Sequence, residues 1–350
     1  MSYYEKLLKL ETIYERLQDE ESRFLFRARV DYMITRDSEK YEKDIFSLNK
    51  QWICKELEEK LQKTKIDRIV IFGSGSDGKL TKRALDVCNY SLACFCDSDL
   101  NKVGTDVDGL PVIAVDEVIK NVENTLIIIA SRKYKDEMYE LLKKKGVVEN
   151  ILIPKHGALY AVQGTQYFDV FNAETNEVFV DAGSFAGGTI QDFISWTGGE
   201  YNKIFAFEPL KEMHQYIKDR CNAENWKNVI TYKKATWNQE ETLFFIEEGS
   251  GSRIEQEGET RIEGIDIDSI VGNEKVTYIK MDIEGAELKA LEGAKYTILK
   301  NKPKLAICIY HKPYDVVDLA EYILELVPEY KLFIRHYCFN MWETVLYATI

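Results

Sequence analysis

The chain has 350 residues, 45% of them hydrophobic, with 46 basic and 59 acidic side chains that give a formal charge of −13. That length and apolar content suit two packed domains and exclude disorder throughout. The acidic balance is spread along the chain without a basic stripe, which argues against nucleic acid as a partner and for a small-molecule or glycan substrate.

No early apolar stretch resembles a signal peptide and no run is long enough to span a bilayer, so the expected location is the cytoplasm. The seven cysteines are odd in number and scattered, with no C-x-x-C pair. They read as reduced core residues; Cys94 and Cys96 alternate within "LACFCD" as a strand would place them.

Residues 1–64 contain no Gly or Pro, and "YYEKLLKLETIYERLQ" and "FSLNKQWICKELEEKLQ" repeat apolar residues at three- and four-residue steps. The spacing predicts an N-terminal segment of amphipathic helices, which could cover the next domain or form a homodimer contact. Over residues 65–160 the pattern changes to short apolar runs, "RIVIF", "SLACFC", "TLIIIA" and "NILIP", alternating with helical patterns. This predicts a parallel, Rossmann-like α/β domain.

Its "IVIFGSGSDGKLTKRAL" places Gly73, Gly75 and Gly78 in a G-x-G-x-x-G turn between strand and helix, and Asp97 ends the next strand. Glycines there let a phosphate approach the backbone, and the acid could accept a ribose hydroxyl. Asp77 opposes this by putting a negative charge in the turn. Nucleotide or nucleotide-sugar binding and a purely structural role both stay open. The segment "FCDSDLNKVGTDVDGLPVIAVDEV" resembles the N-terminal Rossmann-like domain of sugar acetyltransferases in surface-glycan pathways. That resemblance implies a nucleotide-sugar site at Gly73, Gly75, Gly78 and Asp97.

A second α/β domain is expected over residues 165–350. "EVFVDAGSFAGGTIQDFISW" is a strand ending in Asp181, a small-residue turn with Gly183, Gly187 and Gly188, and a helix. Its glycines do not fit G-x-G-x-x-G; the acid before the first glycine resembles the turn of class I methyltransferases, which implies S-adenosylmethionine as ligand. The next strand, "KIFAFEP", ends in Glu208, where a carboxylate can accept both ribose hydroxyls. "KKATWN" then offers Ala235, Thr236 and Trp237, with the indole either near the adenine or simply packed.

"VFVDAGSFAGG", "FAFEP", "KKATWN", "IDIDSI", "IKMDIEGAELKALEGA" and "KPKLAICIYHK" together resemble the FkbM family of S-adenosylmethionine-dependent methyltransferases over residues 165–350. The resemblance implies methyl transfer to a hydroxyl, on a sugar or other glycan-type acceptor. It also implies cofactor contacts from Asp181, Gly183, Ser184, Phe185, Glu208, Ala235, Thr236 and Trp237. One departure is "DAGSFAGG", where many members carry Asn, and it bears on Ser184 and Phe185.

"YIKMDIEGAE" puts Asp282 at a strand end and Glu284 and Glu287 at the start of the following helix. Glu287 reads mainly as a helix-capping acid. Asp282 and Glu284 read as acceptor-side catalytic groups that orient hydroxyls or hold a divalent cation. A hydroxyl must also lose its proton, and His311, ending "LAICIYH" at the same sheet edge, is the expected base. Arg335 and His336 in "IRHY" are second candidates for the acceptor, and Lys280 could pair with a carboxylate. Against the methyltransferase stand two alternatives: a nicotinamide-dependent oxidoreductase using the first glycine-rich turn, and a non-catalytic nucleotide-binding protein.

Overall fold

The computed structural model of the chain describes residues 3–48, 51–63, 65–155, 157–246, 253–255 and 260–350. His156 and all of "EEGSGS", residues 247–252, lie outside the described residues. The chain folds into two units: one joins Met1–Leu48 to Thr165–Tyr337 and Met341–Ile350, the other joins Asn49–Gly164 to Cys338–Asn340.

The N-terminal helices α1 (Tyr3–Arg16), α2 (Glu20–Thr35) and α3 (Ser38–Ser47) therefore belong to the larger unit and not to the domain that follows them in sequence. Asp19 caps α2 by accepting the Ser22 N–H at 2.8 Å, and Glu20 and Glu21 suit its positive end. Ile13, Leu17, Leu25 and Phe26 are buried within the chain. These apolar residues of α1 and α2 are thus used inside the unit.

The smaller unit runs α4 (Lys55–Leu61), β1 (Arg68–Phe72), α5 (Ser76–Val87), β2 (Cys94–Asp97), β3 (Asp106–Val107), β4 (Leu110–Ala114), α6 (Val115–Ile119), β5 (Thr125–Ile129), α7 (Lys135–Lys144) and β6 (Ile151–Leu152). Its sheet has the order β3-β4-β2-β1-β5-β6, parallel except for β3. Cys94 and Cys96 lie in its core with Val70, Phe72, Ile127 and Ile129, and all seven cysteines are free.

The larger unit continues with β7 (Val178–Ala182), α8 (Gly188–Trp196), β8 (Lys203–Phe207), α9 (Lys211–Ala223), β9 (Val229–Tyr232) and β10 (Ala235–Thr236). Next come β11 (Glu241–Ile246), β12 (Arg253–Glu255), β13 (Thr260–Ile265), α10 (Ile267–Val271), β14 (Tyr278–Met281), α11 (Glu287–Glu292) and α12 (Lys295–Asn301). It closes with β15 (Lys304–Cys308), α13 (Asp315–Leu326), β16 (Lys331–His336) and β17 (Thr344–Thr349). The main sheet has the order β16-β17-β15-β14-β7-β8-β9, and β17 alone runs antiparallel to its neighbours. A small second sheet has the order β10-β13-β11-β12.

Every residue of β7 and β14 is buried, as strands covered on both faces require. Phe179 stacks on Phe193 with centroids 4.4 Å apart, and both join Phe168, Ile190 and Tyr278 in the core. After β7 the chain turns to β8 on one side and later returns to β14 on the other. The carboxyl ends of β7 and β14 thus flank the switch point where open α/β sheets bind ligands. At the far edge the start of α2 covers β16: Gln18 N donates to Leu332 O at 3.0 Å, and Ile334 N donates to Ser22 Oγ at 2.9 Å. An edge strand left bare would invite pairing with another chain.

Candidate active site

Asp181 and Lys280 are direct register partners on β7 and β14, so their side chains share one face of the sheet. Both are buried, with Lys280 Nζ 3.1 Å from Asp181 Oδ1, and the ammonium also donates to Gly183 O at 2.7 Å and Ala182 O at 3.2 Å. Burial works against the Lys280 charge, but Asp181 and Asp282 outweigh it and raise its pKa. The Asp181 oxygens make no hydrogen bond of good geometry with any described residue. A buried carboxylate in that condition has acceptor capacity left for a ligand.

Gly183 follows with φ +82, and a Cβ there would run into the carbonyl oxygen of Asp282. The turn must be glycine both for its left-handed backbone and for the close approach of the two strand ends. Gly183 N and Ser184 N donate to Phe207 O at 3.1 and 3.0 Å, tying the turn to β8, and Ser184 Oγ donates to Asp181 O. Phe185, at φ 43, leaves its ring 57% exposed. Gly187 supplies a third left-handed position at φ 73, before α8 begins at Gly188.

Glu208 follows β8 and accepts the N–H groups of Phe185 and Leu210, each at 2.9 Å and each on a different oxygen. Each oxygen keeps a lone pair for a further donor. Burial pushes its pKa up to about 7, against the pull of those two N–H groups.

Asp282 lies just beyond β14, its N–H on Ala182 O at 3.2 Å. Tyr167 donates to its Oδ2 at 2.8 Å and Tyr310 to its Oδ1 at 3.0 Å. Lying beyond β15, His311 reaches the same point. Its Nε2 is 3.4 Å from Asp282 Oδ1 and 3.6 Å from Glu284 Oε2, while Nδ1 is 2.9 Å from Glu287 Oε1. Glu287 also accepts the Ile283 N–H at 3.0 Å, so it caps the local turn as expected and additionally contacts the imidazole.

Glu284 sits at φ 57, a strained region for a residue with a side chain. Burial raises its carboxyl to about 7, with His311 opposing and Asp282 and Glu287 adding to the rise. Burial lowers the His311 pKa, but Glu287, Asp282 and Glu284 outweigh it and push it up to about 9. His311 is therefore charged at neutral pH, which differs from the neutral base that its position in the sequence suggests.

Three residues of this cluster are not apparent from the sequence motifs. Tyr310 carries a signal in hindsight, since it precedes His311 in "CIYHK". Tyr167 and Glu343 lie in loops. Glu343 accepts from Gln166 Nε2 at 2.6 Å, and burial and then Asp282 push its carboxyl up to about 7.

Other expected positions are engaged elsewhere. Trp237 packs against the cluster of Ala235, Leu243 and Ile262 and donates its indole N–H to Glu241, so the ring is committed to the small sheet. Thr236 has a buried hydroxyl without a hydrogen-bond partner among the described residues. Arg335 pairs with Asp19 at 2.7 Å, and the fully buried His336 lies 2.7 Å from Thr344 Oγ1 and edge-on to Tyr41. Both belong to the packing of the N-terminal helices on β16, which replaces the acceptor role expected for them.

In the smaller unit, Asp97 accepts Ser74 N, Ser74 Oγ and Lys102 Nζ on Oδ2 and Asp99 N on Oδ1. That leaves little capacity for a ribose hydroxyl. Asp77 pairs with Arg132 at 3.1 Å. Gly73 has φ +107 with Ala130 O close behind it, and a Cβ on Gly78 would strike Gly73 O, so internal packing explains both glycines. No atom lies within 4 Å of a Cβ built on Gly75.

Residues 180–337 match the family described as Methyltransferase FkbM domain. Residues 65–153 match a second family, described as C2185-like, N-terminal, and not the sugar-acetyltransferase domain expected from this segment. No curated protein matches the chain. Among solved structures, methyltransferase FkbM from Methylobacillus flagellatus KT is 19% identical with a TM-score of 0.50, over 92% of this chain and 98% of that one. An rRNA methylase from Streptococcus thermophilus is 14% identical with a TM-score of 0.34, over 51% of this chain and 89% of that one. A SAM-dependent methyltransferase from Aquifex aeolicus is 19% identical with a TM-score of 0.30, over 51% of this chain and 85% of that one.

The fold and the domain match define the class of protein: an S-adenosylmethionine-dependent methyltransferase. The domain match that supports this class covers residues 180–337.

Proposed function

We propose that the protein transfers a methyl group from S-adenosylmethionine to a hydroxyl of a sugar or glycan-type acceptor. The observation that carries this reading is the pair of carboxylate sites on either side of the switch point. Asp181 and Glu208 have unused acceptor capacity at the ends of β7 and β8, and Asp282, Glu284 and His311 gather beyond β14 and β15.

S-adenosylmethionine, when bound, supplies the methyl of its sulfonium group. Asp181, Gly183, Ser184, Phe185 and Glu208 hold it, with Glu208 as the acceptor for ribose hydroxyls. Asp282 and the charged His311 orient the acceptor hydroxyl and the Glu284 carboxylate, with its pKa at about 7, receives the proton it loses, while Tyr167 and Tyr310 fix the Asp282 oxygens. Several closely spaced acids suit a polyhydroxylated acceptor, because each can accept from a hydroxyl. The free cysteines favour a reducing compartment, in keeping with the cytoplasm.

For the smaller unit we propose a ligand of the nucleotide-sugar class. Its support is a cavity of about 850 Å³ bordered by Gly73 and Gly75 and by charges of both signs, Lys102, Arg132 and Lys133 with Asp77, Asp97, Asp99 and Glu137. The saturation of Asp97 argues against a nicotinamide dinucleotide held through its ribose.

Glu208 gives the test. With its carboxyl at about 7, it is largely protonated at pH 6 and largely ionised at pH 8. The ionised form accepts hydroxyls better, so binding favours it and affinity falls as pH drops. Calorimetry should show S-adenosylmethionine binding about tenfold weaker at pH 6 than at pH 8, as expected when only about a tenth of the groups stay ionised. Glu208→Gln should bind weakly and lose that difference, and comparing the two proteins removes proton uptake by the ligand itself. Equal affinity and equal pH dependence in wild type and variant would refute the assignment.

A further inference from the structure

We infer that Asp282, Glu284 and Nε2 of His311 form a binding site for a divalent cation of the Mg²⁺ or Mn²⁺ class, with Glu287 as its outer carboxylate. The cluster is more than a group of acids. His311 is 8% exposed and Glu287 1% exposed; Nδ1 is held by Glu287 at 2.9 Å, whereas Nε2 makes no hydrogen bond of good geometry with any described residue. A buried Nε2 in that condition, faced by two carboxylates, is arranged for a ligand that takes the place of its proton. Ligand atoms of Asp282, Glu287 and His311 all lie within 4.8 Å of one another.

The distances separate an inner from an outer shell. Asp282 Oδ1 and Glu284 Oε2 stand 3.4 and 3.6 Å from Nε2. Neighbouring ligands bound at roughly 2.0–2.2 Å from an ion lie roughly 3.0–3.6 Å apart, so each of the two carboxylates stands at a distance from Nε2 that suits a shared ion. On the opposite side of the ring, Glu287 Oε1 is 2.9 Å from Nδ1 and is itself fixed by the Ile283 N–H. A ligating imidazole commonly directs its second nitrogen to such a carboxylate, which sets the tautomer and the ring plane.

The backbone supports the same assignment. Glu284 is held at φ 57 and followed by Gly285 at φ 90, and this bend brings the Glu284 carboxylate back toward His311. Tyr167 and Tyr310 hold both oxygens of Asp282 in place. Two carboxylates and one imidazole suit a hard or borderline ion, and three protein ligands leave positions for water and acceptor oxygens.

The role of such an ion in holding the acceptor rests on the methyl-transfer reading above, but its binding does not. The test therefore uses the full chain without cofactor or acceptor, stripped with EDTA, desalted and titrated with MnCl₂ while free Mn²⁺ is followed by electron paramagnetic resonance. We expect one ion per chain, at least tenfold weaker binding in Glu284→Gln and His311→Ala, and a 10- to 100-fold loss in Glu287→Gln. Glu284 is 44% exposed, so its variant should keep the wild-type melting temperature and separate lost binding from lost folding. A wild-type protein that binds no Mn²⁺ at millimolar concentration, or a folded Glu284→Gln that binds it as wild type does, overturns the inference. Loss of Mn²⁺ binding with S-adenosylmethionine binding intact would remove the cation alone. Mn²⁺ binding without S-adenosylmethionine binding would uphold the site and remove the methyl-transfer reading.

Discussion

Asp181→Ala should destabilise the larger unit by about 3–5 kcal/mol, the cost of stranding one member of a buried ion pair. Lys280 is fully enclosed, and its only charge partner within salt-bridge distance among the described residues is Asp181 at 3.1 Å. Its other contacts, to Gly183 O and Ala182 O and to the face of the Tyr167 ring at 5.3 Å, carry no full charge and cannot offset an ammonium in that position. For a unit of this size the loss corresponds to roughly 6–20 °C in melting temperature. Asp181→Leu combined with Lys280→Met should recover most of it, because exchanging both charges for apolar groups is often neutral or stabilising. The double variant should still fail to bind S-adenosylmethionine, since the acid that faces the ligand is gone. Scanning calorimetry with a cofactor titration separates these effects. A double variant as unstable as Asp181→Ala would mean that the pair is not what holds this part of the sheet.

On the acceptor side, His311→Ala and Asp282→Asn should slow methyl transfer by about a hundredfold to ten-thousandfold while leaving S-adenosylmethionine affinity nearly unchanged. Both residues follow β14 and β15, and their side chains are joined to each other and to Glu284, while only the backbone of Asp282 meets the glycine turn. A base or a hydroxyl-orienting group acts only when the acceptor is present, so its loss appears in kcat and not in cofactor binding. Steady-state rates with a methylated product identified by mass spectrometry provide the measure. Wild-type turnover by His311→Ala would remove the residue from the reaction.

The parts of this site that sit on strand ends were legible in the sequence, because a run of apolar residues closing on an acid marks the carboxyl edge of a buried parallel strand. Asp181, Glu208, Asp282 and His311 all follow that rule, and all four come to the switch-point edge. Residues whose position depends on tertiary packing did not announce themselves. Tyr167 reaches Asp282 from a loop more than a hundred residues earlier, and nothing in "GTQYFD" points there.

His336 shows the opposite error. It ends a strand as His311 does, but alternation places it on the same face as the buried Leu332 and Ile334, beneath the N-terminal helices. Those helices were readable as amphipathic, yet periodicity names a buried face without naming what covers it. Only the folded chain shows that their partner is the edge strand of the later domain.

The central claim is that the ligand of the larger unit is S-adenosylmethionine, held between Asp181, Gly183 and Glu208. Calorimetric titration of the full chain with S-adenosylhomocysteine, and separately with NAD, tests it most directly. The account predicts saturable binding of S-adenosylhomocysteine at one site per chain and no binding of NAD; binding of NAD with none of S-adenosylhomocysteine would contradict it.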